Sequence, residues 1–217
     1  MKIAVLGTGM VGRTLSGKLI ELEHEVRMGS RDAANETAAA WAREAGENAS
    51  HGTFADAAGF GEVVINATGG MVSLQVLEAA GAENLAGKVL IDVANTLDFS
   101  KGRPPTLSVC NDDSLAEQIQ RAYPDASVVK ALNTMNCEVM VQPSLVPGRH
   151  NAFICGEDAG AKRQVTELLR SFGWPTDAVI DLGGIAAARG TEMYLPLWLQ
   201  LMGAMGTPRL NILVETG

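Results

Sequence analysis

The first apolar run, Lys2-Ile3-Ala4-Val5-Leu6, shows no alternation, the pattern of a strand covered on both faces. Val11, Leu15, Leu19 and Leu22 then recur at helical spacing and predict an amphipathic helix. His24 to Met28 reads as a second strand, and the Ala-rich run from Ala33 to Ala45 as a helix stopped by Gly46. Further strands are predicted at Ala49–Thr53, Glu62–Ala67, Val89–Val93 and Ser127–Leu132. Ser114 and Glu117 have capping-box spacing at the head of a helix that ends at Pro124. Strands alternating with helices at this rhythm predict a parallel sheet with helices on both faces, a doubly wound α/β fold of the Rossmann type.

Gln142 to Asn151, with Pro143 and Pro147, reads as a junction into a smaller part. That part holds a strand (Ala152–Cys155) and a helix from Asp158 that buries Val165, Leu168, Leu169 and Phe172. A strand (Ala178–Leu182) and a long helix from Gly183 through Met205 follow. The expected division is a Rossmann-type domain over 1–140 and a small C-terminal α/β extension over 141–217. Met193, Leu195, Leu197, Trp198, Leu201, Met202 and Met205 place apolar side chains nearly all around the last helix. A helix apolar on every side must be buried on every side, and so small a part is not expected to cover it alone. A two-fold dimer is therefore expected, with Trp198 and Leu201 at its interface.

Between the first strand and its helix stands Gly7-Thr8-Gly9-Met10-Val11-Gly12, which fits G-x-G-x-x-G in a strand–turn–helix–strand context. Gly7 permits the tight turn, Gly9 the approach of a pyrophosphate, and Gly12 close packing of helix on strand. The helix amides that follow point at the phosphates. The second strand ends in Gly29-Ser30-Arg31, with Ser30 where an NAD site would place an acid. A carboxylate repels a ribose 2′-phosphate, whereas Ser30 can donate to it and Arg31 can pair with it, so the pattern favours NADP over NAD. Thr68-Gly69-Gly70 and Asn95-Thr96 end the next two inner strands, and all four segments are expected at one edge of the sheet, where ligands of such folds bind.

The 217 residues carry a net charge of −8 and no Lys/Arg-dense run, which argues against a nucleic-acid surface. Cys110, Cys137 and Cys155 form no CxxC and read as free thiols of a reducing cytoplasm. A chain that opens directly on a core strand is expected to lack a signal peptide, and the Met193–Met205 stretch is too short to span a bilayer. His24, His51 and His150 are isolated, without metal-ligand spacing. No G-x-S-x-G is present, and the last helix has Arg189 and Glu192 but no Lys. Lys130 is the one candidate acid/base in the region of the cleft. A site with so few proton donors suits hydride exchange between two stacked redox rings, for which the protein supplies position and exclusion of water.

The chain resembles the NADP oxidoreductases dependent on coenzyme F420, a deazaflavin, relatives of the reductase domains of STEAP proteins. The resemblance rests on the glycine turn, on Gly29-Ser30-Arg31, on Val129-Lys130-Ala131-Leu132-Asn133-Thr134-Met135, and on Phe153-Ile154-Cys155-Gly156-Glu157-Asp158. It extends through Leu182-Gly183-Gly184, Arg189, Glu192 and Leu195-Pro196-Leu197 to Gly203. It implies a homodimer in which a deazaflavin lies against the nicotinamide, with Asn133, Thr134 and Met135 bordering the cleft. The expected activity is hydride transfer between NADP(H) and coenzyme F420, FMN or FAD. Two other readings stay open: a dehydrogenase or imine reductase for a small molecule using Lys130 or a bound water, and a non-catalytic NADP-binding module that senses redox state.

Overall fold

The computed structural model describes residues 1–217. In chain order the first half contains β1 (Lys2–Leu6), α1 (Met10–Glu21), β2 (Glu25–Ser30), α2 (Glu36–Ala45), β3 (Ala49–Thr53), α3 (Phe54–Phe60), β4 (Val63–Asn66), α4 (Ser73–Ala80), α5 (Ala82–Leu85) and β5 (Val89–Asp92). There follow β6 (Leu97–Asp98), β7 (Thr106–Leu107), α6 (Leu115–Ala122), β8 (Ser127–Ala131), α7 (Cys137–Val141), β9 (Ala152–Cys155), α8 (Ala159–Ser171), β10 (Val179–Asp181), α9 (Ala188–Met193) and α10 (Leu195–Met205).

Eight strands form one sheet in the order β10-β9-β8-β5-β4-β1-β2-β3. Every pair is parallel except β8–β9, where Lys130 lies opposite Cys155. β9 and β10 lie beyond the boundary expected at residue 140, yet they continue the same sheet across β8. Successive residues of a strand face opposite sides of the sheet. Ile3 and Val5 therefore join one core cluster with Leu15, Val165 and Trp174, while Ala4 and Leu6 join the other with Leu77 and Ile119. Both faces being covered explains why β1 reads as an unbroken apolar run.

The long connection after β5 is an ordered excursion. β6 and β7 pair antiparallel within it, and Ser108 N–H returns to the Thr96 carbonyl at 2.9 Å. The terminal helix is divided at one place. Pro196 has no N–H to continue the ladder, so α9 and α10 are separate segments, and Tyr194 between them keeps helical φ and ψ of −67° and −26°. No helix is long and apolar enough to cross a membrane.

Candidate active site

Because β1, β2, β4, β5 and β8 are parallel, their C-terminal ends share one edge of the sheet. The glycine turn stands at its centre. Gly7 has φ +120°, and a Cβ there would lie 2.6 Å from the Ala67 carbonyl oxygen. A Cβ on Gly12 would lie 2.1 Å from the Gly7 carbonyl oxygen, so α1 packs on the turn only because this position is bare. At Gly9 an added Cβ would meet no protein atom within 4 Å. The space beside Gly9 is thus open to a ligand. No side chain caps α1 and its first turn carries no acid, which leaves its first amides free for an anion.

At the end of β2 the expected roles of Ser30 and Arg31 separate. Ser30 is 3% exposed, and its hydroxyl donates to the Asp32 carbonyl at 2.6 Å. The hydroxyl closes the turn and is not presented at the surface, where the sequence reading places it. Asp32 closes the same turn, its carboxylate accepting from Ala34 N–H at 2.9 Å. Arg31 is exposed and makes no ion pair in the protein. It is left as the side chain able to meet a phosphate at this end.

Between the turn and α10 lies a cleft of about 340 Å³. Met10, Val11, Thr68, Asn95, Asn133 and Met135, all singled out in the sequence, line it. Thr68 is oriented from behind, its hydroxyl donating to Asn66 Oδ1 at 2.6 Å. Gly70 is buried against Asn95, where a Cβ would lie 2.4 Å from the carbonyl oxygen; Gly69 is exposed at the rim. Asn95 and Asn133 hold each other: Asn95 Nδ2 donates to the Asn133 carbonyl at 2.8 Å, and Asn133 Nδ2 to Asn95 Oδ1 at 3.0 Å. Asn133 Nδ2 also donates to the Thr191 carbonyl at 3.1 Å, which ties α9 to β8. Leu132, just before it, takes a φ of 61°, a left-handed conformation that a Leu adopts only under constraint.

Thr134 departs from expectation. It is 2% exposed but turns away from this cleft to a second hollow of about 240 Å³, shared with Phe153, Thr191 and Tyr194. The chain leaves β8 in a turn that begins at the left-handed Leu132, and this turn brings Asn133 and Met135 to the cleft while Thr134 faces the other hollow. Trp198 packs within the chain. It and Leu195 wall the cleft, 8% and 5% exposed, so Trp198 is covered by its own chain. Cys137 and Met140 from α7 also line it. Sequence reading missed these four as site residues because they belong to apolar stripes that look the same whether they meet a core or a ligand.

Lys130 is not at the cleft surface. It is 1% exposed, with Nζ 2.7 Å from Asp92 Oδ2, 2.9 Å from Glu192 Oε1 and 2.5 Å from the Ala94 carbonyl. Burial alone would lower its pKa, but the carboxylates of Asp92 and Glu192 outweigh it and hold the pKa above the ordinary lysine value. Glu192 also accepts from Leu115 N–H and Ala116 N–H at 2.9 and 3.2 Å, and Asp92 from Asn66 Nδ2 at 2.8 Å. Lys130 is the centre of a buried brace joining β4, β5, β8, α6 and α9. An ammonium buried away from the cleft, with its contacts made to Asp92, Glu192 and the Ala94 carbonyl, is not placed to give a proton to a substrate. Cys155 offers no nucleophile either, since burial pushes its thiol up to about 12.

The free helix amides, the bare approach at Gly9 and the exposed Arg31 fit a dinucleotide phosphate. Comparison with known proteins agrees. The family model for coenzyme F420-dependent NADP oxidoreductases matches residues 2–96. A crystal structure from Arthrobacter sp. FB24, assigned as an F420-dependent NADP-reductase, is 51% identical over the full length of both chains, with a TM-score of 0.94. Metalloreductase STEAP3 of Rattus norvegicus is 29% identical over 209 residues, which cover 91% of this chain and 38% of that protein. The chain thus spans well under half of that metalloreductase. The reductive aminase of Aspergillus terreus, solved with NADPH and ethyl levulinate, shares the fold at 17% identity and a TM-score of 0.66, covering 94% of this chain and 62% of that one. The protein is an NADP-dependent oxidoreductase, and its chain belongs to the family of coenzyme F420-dependent NADP oxidoreductases.

Proposed function

We propose that the protein passes hydride between NADP(H) and a deazaflavin or flavin ring held in the cleft between the glycine turn and α10. The observation that carries this reading is the cleft itself: about 340 Å³, walled mostly by apolar side chains, without a histidine, a carboxylate or a lysine. Bound NADPH supplies the hydride from C4 of its nicotinamide. The acceptor ring takes that hydride and one proton from water, so no protein acid is required. The protein's part is to bind, align and dry the two rings. Gly9 and the α1 amides receive the pyrophosphate, and Arg31 the 2′-phosphate. Met10, Thr68, Asn95, Asn133 and Met135 bound the place where the rings meet.

The outward side of α9 and α10 supports a homodimer: Met193, Leu197 and Met205 are 38%, 56% and 64% exposed. The free thiols Cys110, Cys137 and Cys155 support a reducing, cytoplasmic setting. The test is a spectrophotometric screen of NADPH oxidation against F420, FMN, FAD and ferric chelates. Turnover with F420 or a free flavin supports the reading. Tight NADPH binding with no turnover on any acceptor would instead favour a sensing module.

A further inference from the structure

Trp198 is the residue of the cleft whose chemistry is left open. It is 8% exposed, and its Nε1–H is buried without an acceptor in the protein. No other residue lining the cleft has a buried polar side-chain atom without a partner. The hydroxyl of Thr68 is given to Asn66, and Asn95 and Asn133 are engaged with each other. The same fold does satisfy a buried indole where one is purely structural: Trp174 Nε1 donates to the Met140 carbonyl at 2.9 Å. An indole nitrogen donates and never accepts, and a buried donor without a partner is destabilising. Such a group is retained at no loss if a ligand supplies the acceptor.

We propose that Trp198 Nε1–H donates to a ring carbonyl oxygen of the hydride acceptor, which selects planar redox rings that carry a carbonyl at that edge. This rests on the hydride-transfer reading above. The position of α10 favours the acceptor over the nicotinamide. The glycine turn delivers the dinucleotide from β1, whereas α9, directly before α10, is fixed on the β8 side through Asn133 and Thr191. Trp198 therefore stands on the wall opposite the dinucleotide. Nε1 is closed to water in the unliganded protein, so this contact requires a small rotation of the indole on binding. The pyrimidinedione edge of a deazaflavin or flavin has the required carbonyl oxygens.

The experiment follows the indole N–H resonances of the full chain by NMR, with the Trp198 peak assigned from Trp198→Phe, Trp41→Phe and Trp174→Phe. NADP⁺ is added first, then oxidised F420 or FMN, and the affinity of each ligand is measured for wild type and Trp198→Phe. The Trp198 indole proton should move downfield on addition of the ring and not with NADP⁺ alone. Trp198→Phe should keep its NADP⁺ affinity and bind the ring about threefold to tenfold more weakly. A shift caused by NADP⁺ alone would overturn the proposal, because the donor then serves the nicotinamide. Equal binding of the ring by variant and wild type would overturn it while leaving hydride transfer intact. If neither ring binds wild type, the hydride-transfer reading and the role of Trp198 fall together. Should Trp198→Phe not fold, the wild-type resonance alone decides.

Discussion

Gly9 and Gly12 are separated by one turn of helix and answer different demands. An added methyl at Gly9 meets open space, while at Gly12 it meets the Gly7 carbonyl at 2.1 Å. Gly9→Ala should therefore unfold at nearly the wild-type temperature yet bind NADP(H) much more weakly, as paired thermal melts and calorimetry would show. Gly12→Ala should lose stability first. Arg31→Ala should lower NADP affinity by about tenfold to a hundredfold, the worth of a charge-assisted contact, and leave NAD nearly unchanged. Ser30→Ala should barely alter that preference, because the Ser30 hydroxyl is committed to the Asp32 carbonyl. A large loss of NADP selectivity in Ser30→Ala would mean that the hydroxyl turns over to the phosphate on binding. The pattern Gly29-Ser30-Arg31 was legible as an NADP signal, but not the division of labour within it. That depends on the turn at Asp32, which closes onto Ser30 only in the folded chain.

α6 and α9 are clamped together twice. Arg189 meets Glu117 with contacts of 2.8 and 2.6 Å, and Glu192 caps the α6 amides while pairing with Lys130. Lys130→Met would leave Asp92 and Glu192 buried without a cation, a loss of about 3–5 kcal/mol. Chemical denaturation should show that loss, while the fraction that remains folded keeps its turnover. A well-folded Lys130→Met protein that binds NADPH and acceptor but cannot transfer hydride would restore Lys130 as a proton donor. The clamp also sets a pH dependence. The hydrogen bond from Arg189 holds Glu117 below the usual glutamate range, and that from Arg121 brings Asp113 down to about 2. Both folded-state values are depressed, so their stabilisation is complete above the ordinary carboxylate pKa of about 4 and is lost as the pH falls below it. Glu117→Gln should accordingly flatten the decline in melting temperature on the acid side. The elements themselves were largely visible in the sequence. Strands announced themselves as apolar runs and helices by periodicity, and Pro196 marked the joint between α9 and α10. The brace was not visible, because Asp92, Lys130 and Glu192 are distant in sequence and only the strand order, with α9 packed against it, brings both carboxylates within 3 Å of Lys130 Nζ.

Eight strands drawn from both ends of the chain build one sheet with a cleft at the C-terminal edge of its parallel strands, closed on one side by a helix that returns from the opposite end of the sequence. Apolar content around that helix could not reveal which side faces what. Leu195 and Trp198 turn to the cleft, and Leu197 and Met205 remain outside. Leu197→Glu should therefore disrupt a dimer and spare the fold, and light scattering with thermal melts separates the two effects. A wild-type protein that stays monomeric at high concentration would leave the outer face without that role.

The cleft's lack of an acid/base and its apolar walls lead to one expectation about chemistry. The direct measurement is single-turnover oxidation of bound, C4-deuterated NADPH by F420, whose ring carbon C5 keeps a transferred deuterium without exchange, followed by product analysis; oxidation by FMN is followed as a rate alone, because its N5–D exchanges with water. The account predicts that one face of the nicotinamide delivers its deuterium directly to the acceptor ring, faster in wild type than in Gly9→Ala. Deuterium lost to water in the F420 reaction, or NADPH bound in the cleft and oxidised by neither ring, would contradict it.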